Sequence, residues 1–306
     1  MHIEQLDLNL LVVFHAVYAE GGVTRAAQKL HLTQPAISHA LGRLRDLLGD
    51  PLFVRKGRTL VPTPHARDMI APVRRALRGL EVALNQGERF DARTTERSFA
   101  IGLRSTSETI LLPRLMLRLA KAAPRAKLAT VSFRRHALER ELASGSLDLV
   151  LDVRLPHGET IRHQRTSLDR LVVLVRRTHP AARKQRLDLR TYLASEHVLV
   201  SSRRAGPGLE DTALAGRGLQ RLIRLRCQDY FAACRVVSEA DLLLTMPARY
   251  AAIANESFGN RVLPLPFEAP SLDLYTYWHR DLEQEPASRW LRRQVQEAFT
   301  TRRGSP

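Results

Sequence analysis

Between residues 8 and 48, apolar positions recur at helical spacing in three successive runs. Leu10, Leu11, Val13, Phe14 and Val17 form a stripe that Asp7 can cap and that ends at Gly21 and Gly22, which predicts a first helix. Ala26, Ala27 and Leu30 mark a second, its adjacent alanines small enough for another helix to approach closely, and His31-Leu32 reads as a turn. Thr33 then suits an N-cap, with Gln34 and Pro35 in a first turn where a missing N–H costs little. In this third helix Ile37, Leu41, Leu44 and Leu48 fall within a sector of about 40° at ~100° per residue, opposite Pro35, Ser38, His39, Gly42 and Arg43. One face packs and the other is free. The free face carries small, hydrogen-bonding side chains, which suits a helix placed in a groove against base edges, the helix-turn-helix pattern. Periodicity alone also allows a surface helix of an ordinary bundle.

Residues 50–66, "DPLFVRKGRTLVPTPHA", set Leu52, Phe53 and Val54 against Arg55, Lys56 and Arg58 around Gly57 and return through Leu60 and Val61. This reads as a short basic hairpin, or wing, that places Arg55 on phosphate or in a minor groove. From residue 64 to about 86, Ile70, Val73, Leu77, Leu80 and Leu84 recur at spacings of three and four. Such a helix is about 34 Å long at ~1.5 Å per residue, and Pro72 is expected to kink or interrupt it. Its stripe fits either a second chain or the core of a single globule.

After the polar stretch "GERFDARTTERS" the pattern changes. "FAIGL", "AKLATVS" and "LDLVLDV" read as strands, with helices over 108–123 and 136–144 between them. Then "RLVVLVR", "HVLVS", "RLIRLRC", "DLLLTMP" and "LDLYTYW" give further strands, and a helix over 286–300 closes the series. Alternation of this kind argues for a doubly wound parallel sheet.

Composition narrows the possibilities. The 306 residues suit roughly two domains of ~150 residues each, and no stretch approaches the ~18 to 20 apolar residues of a membrane span. With no leader-like start, a cytoplasmic location is expected. The net charge of +17 invites a nucleic-acid partner. Yet only five of the 48 basic residues are lysines, and residues 1–68 hold eight basic against six acidic side chains, so charge alone locates no DNA site. Cys227 and Cys234 are too few for a disulfide scaffold and lack zinc spacing; they read as buried thiols or as a redox pair. No metal and no cofactor are expected. H-E-x-x-H, G-x-S-x-G, a P-loop and G-x-G-x-x-G are all missing, "GPGLED" departing from the last, so no enzyme is expected. A solute-binding protein or an α/β enzyme without sequence-specific DNA recognition is the alternative, but it leaves residues 1–66 unexplained.

The ordered set "LNLLVVFHAV", "VTRAAQKL", "TQPAISHALGRL", "LLGDPLFVRKGR" and "VPTPHA" resembles the winged N-terminal domain of LysR-type transcriptional regulators. By motif position the resemblance implies DNA contacts from Thr33, Gln34, Pro35, Ser38, His39 and Arg43 and from the wing residue Arg55, with Thr24, Arg25, Lys56 and Arg58 as further candidates. One departure is Gly22, where the family commonly has a serine cap. The resemblance implies an N-terminal winged helix-turn-helix (1–63), a linker and dimerisation helix with a polar linker (64–94), and a C-terminal two-subdomain doubly wound α/β domain (95–306) similar to periplasmic solute-binding proteins. Subdomain I would comprise 95–161 and 267–306, and subdomain II 162–266. "LLPRL", "SGSLDLVL", "HVLVS", "DLLLTMPAR" and "YWH" look closest to the branch that senses aromatic acids and flavonoids. Implied partners are promoter double-stranded DNA, a small-molecule effector, a second or further copies of the chain in a dimer or tetramer, and RNA polymerase, with no membrane.

Ligands of such a fold bind beyond the carboxyl ends of the strands. Arg104, Ser105, Thr106 and Ser107 follow the first strand, Ser201, Ser202, Arg203 and Arg204 follow "HVLVS", and Thr245 ends "DLLLT". Hydroxyls and arginines converging there suggest a carboxylate held by Arg104 or Arg203; the alternative is that the hydroxyls only cap helices and the arginines are solvated. Gln228 and Tyr230 are candidates for the same cleft, where the neighbouring Asp229 would disfavour an anion.

Overall fold

The computed structural model describes residues 6–57, 59–84, 90–183 and 185–300, apart from the side chains of Lys56, Arg75, Arg78 and 81–84. Three helices open the chain: α1 (Leu8–Glu20), α2 (Val23–Leu30) and α3 (Gln34–Leu48). Asp7 caps α1 by accepting from the Asn9 N–H at 3.0 Å, and Gly21 closes it in the left-handed region at φ 63°. Gly22 starts α2 with no side-chain cap. Phe14, Val17, Ala26, Ile37, Leu41 and Leu44 form one buried core, so the predicted packing faces of all three helices meet.

The wing is β1 (Phe53–Lys56) paired antiparallel with β2 (Thr59–Pro62), Arg55 opposite Leu60. Leu52, a buried non-glycine residue at φ 57°, makes the turn into it. Asp50 Oδ1 accepts from the Leu52 N–H at 2.7 Å and from the Thr63 hydroxyl at 2.8 Å, and the Thr63 N–H donates to the Leu52 carbonyl. Those bonds and the buried leucine offset about 1–2 kcal/mol of left-handed strain. Helix α4 (Pro64–Leu84) follows without interruption through Pro72. Pro72 therefore does not interrupt the helix; Ile70 and Val73 are buried and Leu77 half-buried against the core of their own chain, and Leu80 alone of the described stripe stays exposed. Leu84's side chain lies outside the described residues.

The rest of the chain runs β3 (Ser98–Gly102), α5 (Ser105–Ala122), β4 (Lys127–Val131), α6 (Leu138–Ala143), β5 (Leu149–Asp152), β6 (Ile161–Ser167), β7 (Leu171–Val175), α7 (Pro180–Arg183), α8 (Leu189–Ala194), β8 (Glu196–Val200), α9 (Leu209–Ala215), β9 (Leu222–Cys227), α10 (Tyr230–Glu239), β10 (Leu242–Pro247), α11 (Ala248–Ala254), β11 (Arg261–Pro264), β12 (Leu274–His279) and α12 (Pro286–Thr300). Two five-stranded sheets result, ordered β4-β3-β5-β12-β6 and β11-β7-β10-β8-β9. Both are mixed rather than wholly parallel. β12 runs antiparallel to β5 and β6, and β7 antiparallel to β10 and β11, because these strands serve the passages of the chain between the sheets.

Two boundaries move. Residues 162–167, expected in the second unit, belong to β6 of the first sheet, and Phe267, expected in the first, packs into the second sheet's core. β6, "IRHQRTS", escapes notice in the sequence because it is an edge strand with mainly polar side chains. Within the polar stretch before β3, Phe90 and Ala92 pack on the first sheet's core, Phe90 5.6 Å from Trp290, centroid to centroid. No described helix is long and apolar enough to cross a membrane.

Candidate DNA-reading face and effector crevice

Thr33 caps α3, its hydroxyl accepting from the Ala36 N–H at 3.3 Å, with Pro35 in the first turn. That start fixes the rotation of the helix. Ile37, Leu41 and Leu44 go inside, while Thr33, Gln34, Pro35, Ser38, His39 and Arg43 stand exposed along one side. Thr24, exposed on α2, directs its hydroxyl to Gln34 Oε1 at 3.4 Å, so the two helices present one continuous polar edge. Two of the expected contacts are engaged within the chain. Arg25 Nε donates to the Glu20 carbonyl at 2.6 Å, and its guanidinium lies over Gly21 and Gly22. Arg43 Nη1 lies 3.3 Å from Asp7 Oδ2. That pair is half exposed and weak, so a phosphate or guanine edge competes for Arg43 with little loss. In the wing Arg55 is exposed; Arg58 and the side chain of Lys56 lie outside the described residues.

Of the second set of expected residues, Arg104 at the end of β3 and Ser202 in the loop after β8 come together between the two sheets. Arg104 is the N-cap residue of α5, and its Nη2 donates to Ser202 Oγ at 2.9 Å, joining the end of β3 to the loop after β8. Ser105 and Thr106 open α5 with solvent access, whereas Ser107 is buried in the same turn. Thr109, not anticipated, lies one turn on and donates to the Ser105 carbonyl at 2.9 Å; the spacing of four from Ser105 is the signal that places it there. Across from them Tyr230 and Tyr250 stand 5.9 Å apart, centroid to centroid. Burial pushes the Tyr230 phenol well above its usual range, reinforced by Glu210 and Cys227 against Arg221 and Arg104, so it remains a hydrogen-bond donor.

Other expected crevice residues are committed elsewhere. Arg203 folds back on its own loop, Nη2 to the Pro207 carbonyl at 2.5 Å, while its N–H donates to Ser201 Oγ. Asp229 caps α10 by accepting from the Ala232 N–H at 2.8 Å, which turns its charge toward a helix N-terminus. Gln228 is exposed beside it. The two thiols are free, and burial raises both, Cys234 to about 11, opposite to the shift of a redox-reactive thiolate.

Thr245 is the plainest correction. Its hydroxyl is 2.8 Å from the Tyr192 hydroxyl, inside a buried polar cluster around Arg221. The Arg221 guanidinium donates to Glu210 Oε1 at 2.5 Å, Asp211 Oδ1 at 2.6 Å and the Tyr192 hydroxyl at 3.0 Å. His197 completes the cluster. Its Nε2 is 2.7 Å from the Tyr192 carbonyl, which only accepts, and its Nδ1 is 3.4 Å from Arg221, which only donates, so the ring is neutral with the proton on Nε2. Burial, with Arg221 adding to it, lowers the His197 pKa to about 4. Between pH 6.5 and about 4 the unfolded chain therefore binds the proton that the folded ring refuses, and stability falls as pH is lowered through that window. In urea unfolding series, His197→Gln, whose amide keeps one donor and one acceptor, is expected to show a shallower fall than the parent across it; equal slopes would refute the assignment.

Comparison with known proteins decides the family. Residues 8–67 match the family described as bacterial regulatory helix-turn-helix protein, lysR family, and residues 92–300 match the LysR substrate binding domain. The chain belongs to the LysR family of transcriptional regulators. This regulator is 38% identical to the HTH-type transcriptional activator NahR of Pseudomonas putida over 98% of its own length and 100% of that protein. It is 34% identical to the transcriptional activator NagR of Ralstonia sp, covering 98% and 99%. A probable transcriptional regulator of Pseudomonas aeruginosa, PA0477, has the same architecture with TM-score 0.77 and 35% identity over 96% of this chain and 97% of that one. The family member CbnR, solved with its target DNA, shares the fold at TM-score 0.61 and 18% identity over 96% and 100%. The regulator binds DNA through its helix-turn-helix and carries an effector-binding domain; it is not an enzyme.

Proposed function

We propose that this regulator reads a promoter sequence through the Thr33 to Arg43 face and is controlled by an aromatic carboxylate bound in the crevice between its sheets. The observation that carries the effector reading is the Arg104 to Ser202 hydrogen bond in front of two tyrosine rings. A carboxylate that takes Arg104 from Ser202 gains a charge-assisted bond, and an aromatic ring behind it meets Tyr230 and Tyr250. Ser105, Thr106, Ser201 and Gln228 supply neighbouring polar groups. In this reading residues up to about 63 form the DNA-reading unit, α4 and the segment to 94 connect it, and the remainder holds the effector. Self-association as a dimer or tetramer is supported by apolar side chains left on the outside, Met116 and Leu117 of α5, Leu222 of β9 and Phe231 of α10. RNA polymerase is the partner that promoter control requires. The effector acts by binding one arrangement of the DNA-reading units more tightly than another.

The experiment is a salt-controlled titration against the promoter beside the protein's own gene, with random DNA of equal length as competitor, repeated with benzoate, benzamide and cyclohexanecarboxylate. A specific complex altered by benzoate alone supports both charge and ring recognition. Arg104→Gln is expected to weaken benzoate binding by about tenfold or more, the value of one charge-assisted bond, with DNA affinity in the absence of benzoate unchanged. Undiminished benzoate binding in that variant would remove Arg104 from the site.

A further inference from the structure

The three N-terminal helices carry four lysine and arginine side chains, Arg25, Lys29, Arg43 and Arg45. Each is bonded within the chain. Arg25 donates to the Glu20 carbonyl at 2.6 Å, Lys29 to the Glu20 carboxylate at 2.7 Å and Arg45 to the Pro51 carbonyl at 2.8 Å. Arg43 is the one that stands on the exposed polar side of α3, and its acceptor is a carboxylate, Asp7 Oδ2 at 3.3 Å. Asp7 lies 36 residues earlier in the chain, so only the packing of α1 on α3 brings the two together.

The carboxylate is held from its other side. Asp7 Oδ1 accepts from the Asn9 N–H at 3.0 Å, and the Asp7 carbonyl accepts from the Leu10 N–H at 3.0 Å. Oδ2 is thereby a fixed acceptor at the edge of the α3 face, and it engages only Nη1 of a guanidinium that has five N–H donors. Guanine asks for two of those donors, at N7 and O6, so Arg43 can meet a guanine without leaving Asp7. A phosphate is different. It is drawn by net charge, which Asp7 cancels locally, and its oxygens are repelled by the carboxylate.

We propose that Asp7 is a positioning residue for DNA reading, which turns Arg43 away from phosphates and toward a guanine base. The proposal rests on the α3 face being the reader. Asp7 touches no DNA itself; it makes the wrong partner less favourable, and specificity is a difference between partners. Removing its charge therefore has two opposite consequences. Binding to random DNA rises, because Arg43 gains a phosphate, while discrimination at the base that Arg43 reads falls. A carboxylate that only caps α1 produces neither, since asparagine caps a helix as well as aspartate does.

The test starts from DNA that the full chain selects out of a random-sequence pool. The selected site, the same site with each guanine changed singly to adenine, and random DNA of equal length are titrated by fluorescence anisotropy over a salt series. Arg43→Gln is expected to lose about tenfold or more of the discrimination at one guanine position. For Asp7→Asn, discrimination at that same guanine is expected to fall by about threefold, the weight of a surface ion pair. On random DNA its log affinity is expected to fall more steeply with log salt, by about 0.9 in slope, the value of one added phosphate contact. In the Arg43→Gln background both effects of Asp7→Asn are expected to vanish. Asp7→Ser, which also caps but carries no charge, is expected to repeat the Asp7→Asn result, whereas Asp68→Asn, an equal charge removed from an exposed position of α4, alters no base preference. If Asp7→Asn leaves slope and base preference unchanged while Arg43→Gln still loses a guanine, the proposal is overturned and the reader face stands. Persistence of either effect with glutamine at position 43 would make Asp7 a long-range charge and overturn it as well. If Arg43→Gln alters no base preference, or the pool yields no preferred sequence, the reading of the face by Arg43 fails and the proposal with it.

Discussion

Replacing Arg221 with leucine is expected to destabilise the folded protein by about 3–5 kcal/mol, the usual penalty for removing one partner of a buried ion pair. Its side chain is 1% exposed and is shared between Glu210, 7% exposed at the side chain, and Asp211. Leucine leaves Glu210 charged in a space that water does not reach, and it deprives the Tyr192 hydroxyl of a donor. The loss exceeds anything leucine gains by apolar burial, because an unpaired charge in that position is far more unfavourable than a lost hydrogen bond. Urea unfolding monitored by circular dichroism measures it. Adding Glu210→Gln to Arg221→Leu is expected to recover part of the loss, since it removes the orphaned charge. A change below about 1 kcal/mol for Arg221→Leu alone, well under that range, would mean that Glu210 and Asp211 find other partners.

This cluster also shows where the sequence stops being informative. Tyr192, His197, Glu210, Asp211 and Thr245 come from four separate elements and Arg221 from the loop before β9, and no local spacing links them. Only the pairing of β8 with β9 and β10 brings them to one face. The assignment of Thr245 to the crevice fails for a related reason that strand alternation can expose. Leu243 packs on the Tyr192 side and Leu244 and Met246 on the α10 side, so Thr245 must follow Leu243. By contrast the α3 face is readable because a helix start, a proline and an apolar period of 3.6 all agree locally. Arg104 is readable by place alone, at the end of the first strand, whereas Tyr250 lies on a helix whose position depends on the sheet beneath it. β6 and β11 stay hidden because neither carries an apolar run or alternation, β6 being mainly polar and β11 four residues long with Leu263 alone buried.

The face that is readable also gives the largest expected change in DNA binding. Ser38 stands exposed between His39 and Gln34 on α3, with Ile37 buried beside it, so its substitution alters what meets the groove and not the core. Ser38→Ala is expected to lower affinity for the operator by about tenfold, one hydrogen bond's worth, while leaving binding to random DNA unchanged. Ser38→Glu is different in kind. It brings a carboxylate into a groove bounded by phosphates and base acceptors, where like charges repel across a poorly screened gap. Affinity for operator and random DNA alike is expected to fall by on the order of a hundredfold or more, since a misplaced charge in such an interface costs several kcal/mol. The thermal midpoint is expected to stay within a degree or two, because surface changes away from packing are nearly neutral for stability, within about 0.5 kcal/mol. Leu47→Glu, also exposed on α3 but in its last turn, serves as the comparison and is expected to spare DNA binding. Filter-binding or fluorescence-anisotropy titrations at fixed salt give the affinities of the parent and the three variants for both DNAs. If Ser38→Glu and Leu47→Glu lose the same amount, the added charge acts at long range and α3 does not enter the groove by its Ser38 face; if only Ser38→Glu fails, that face is the reader.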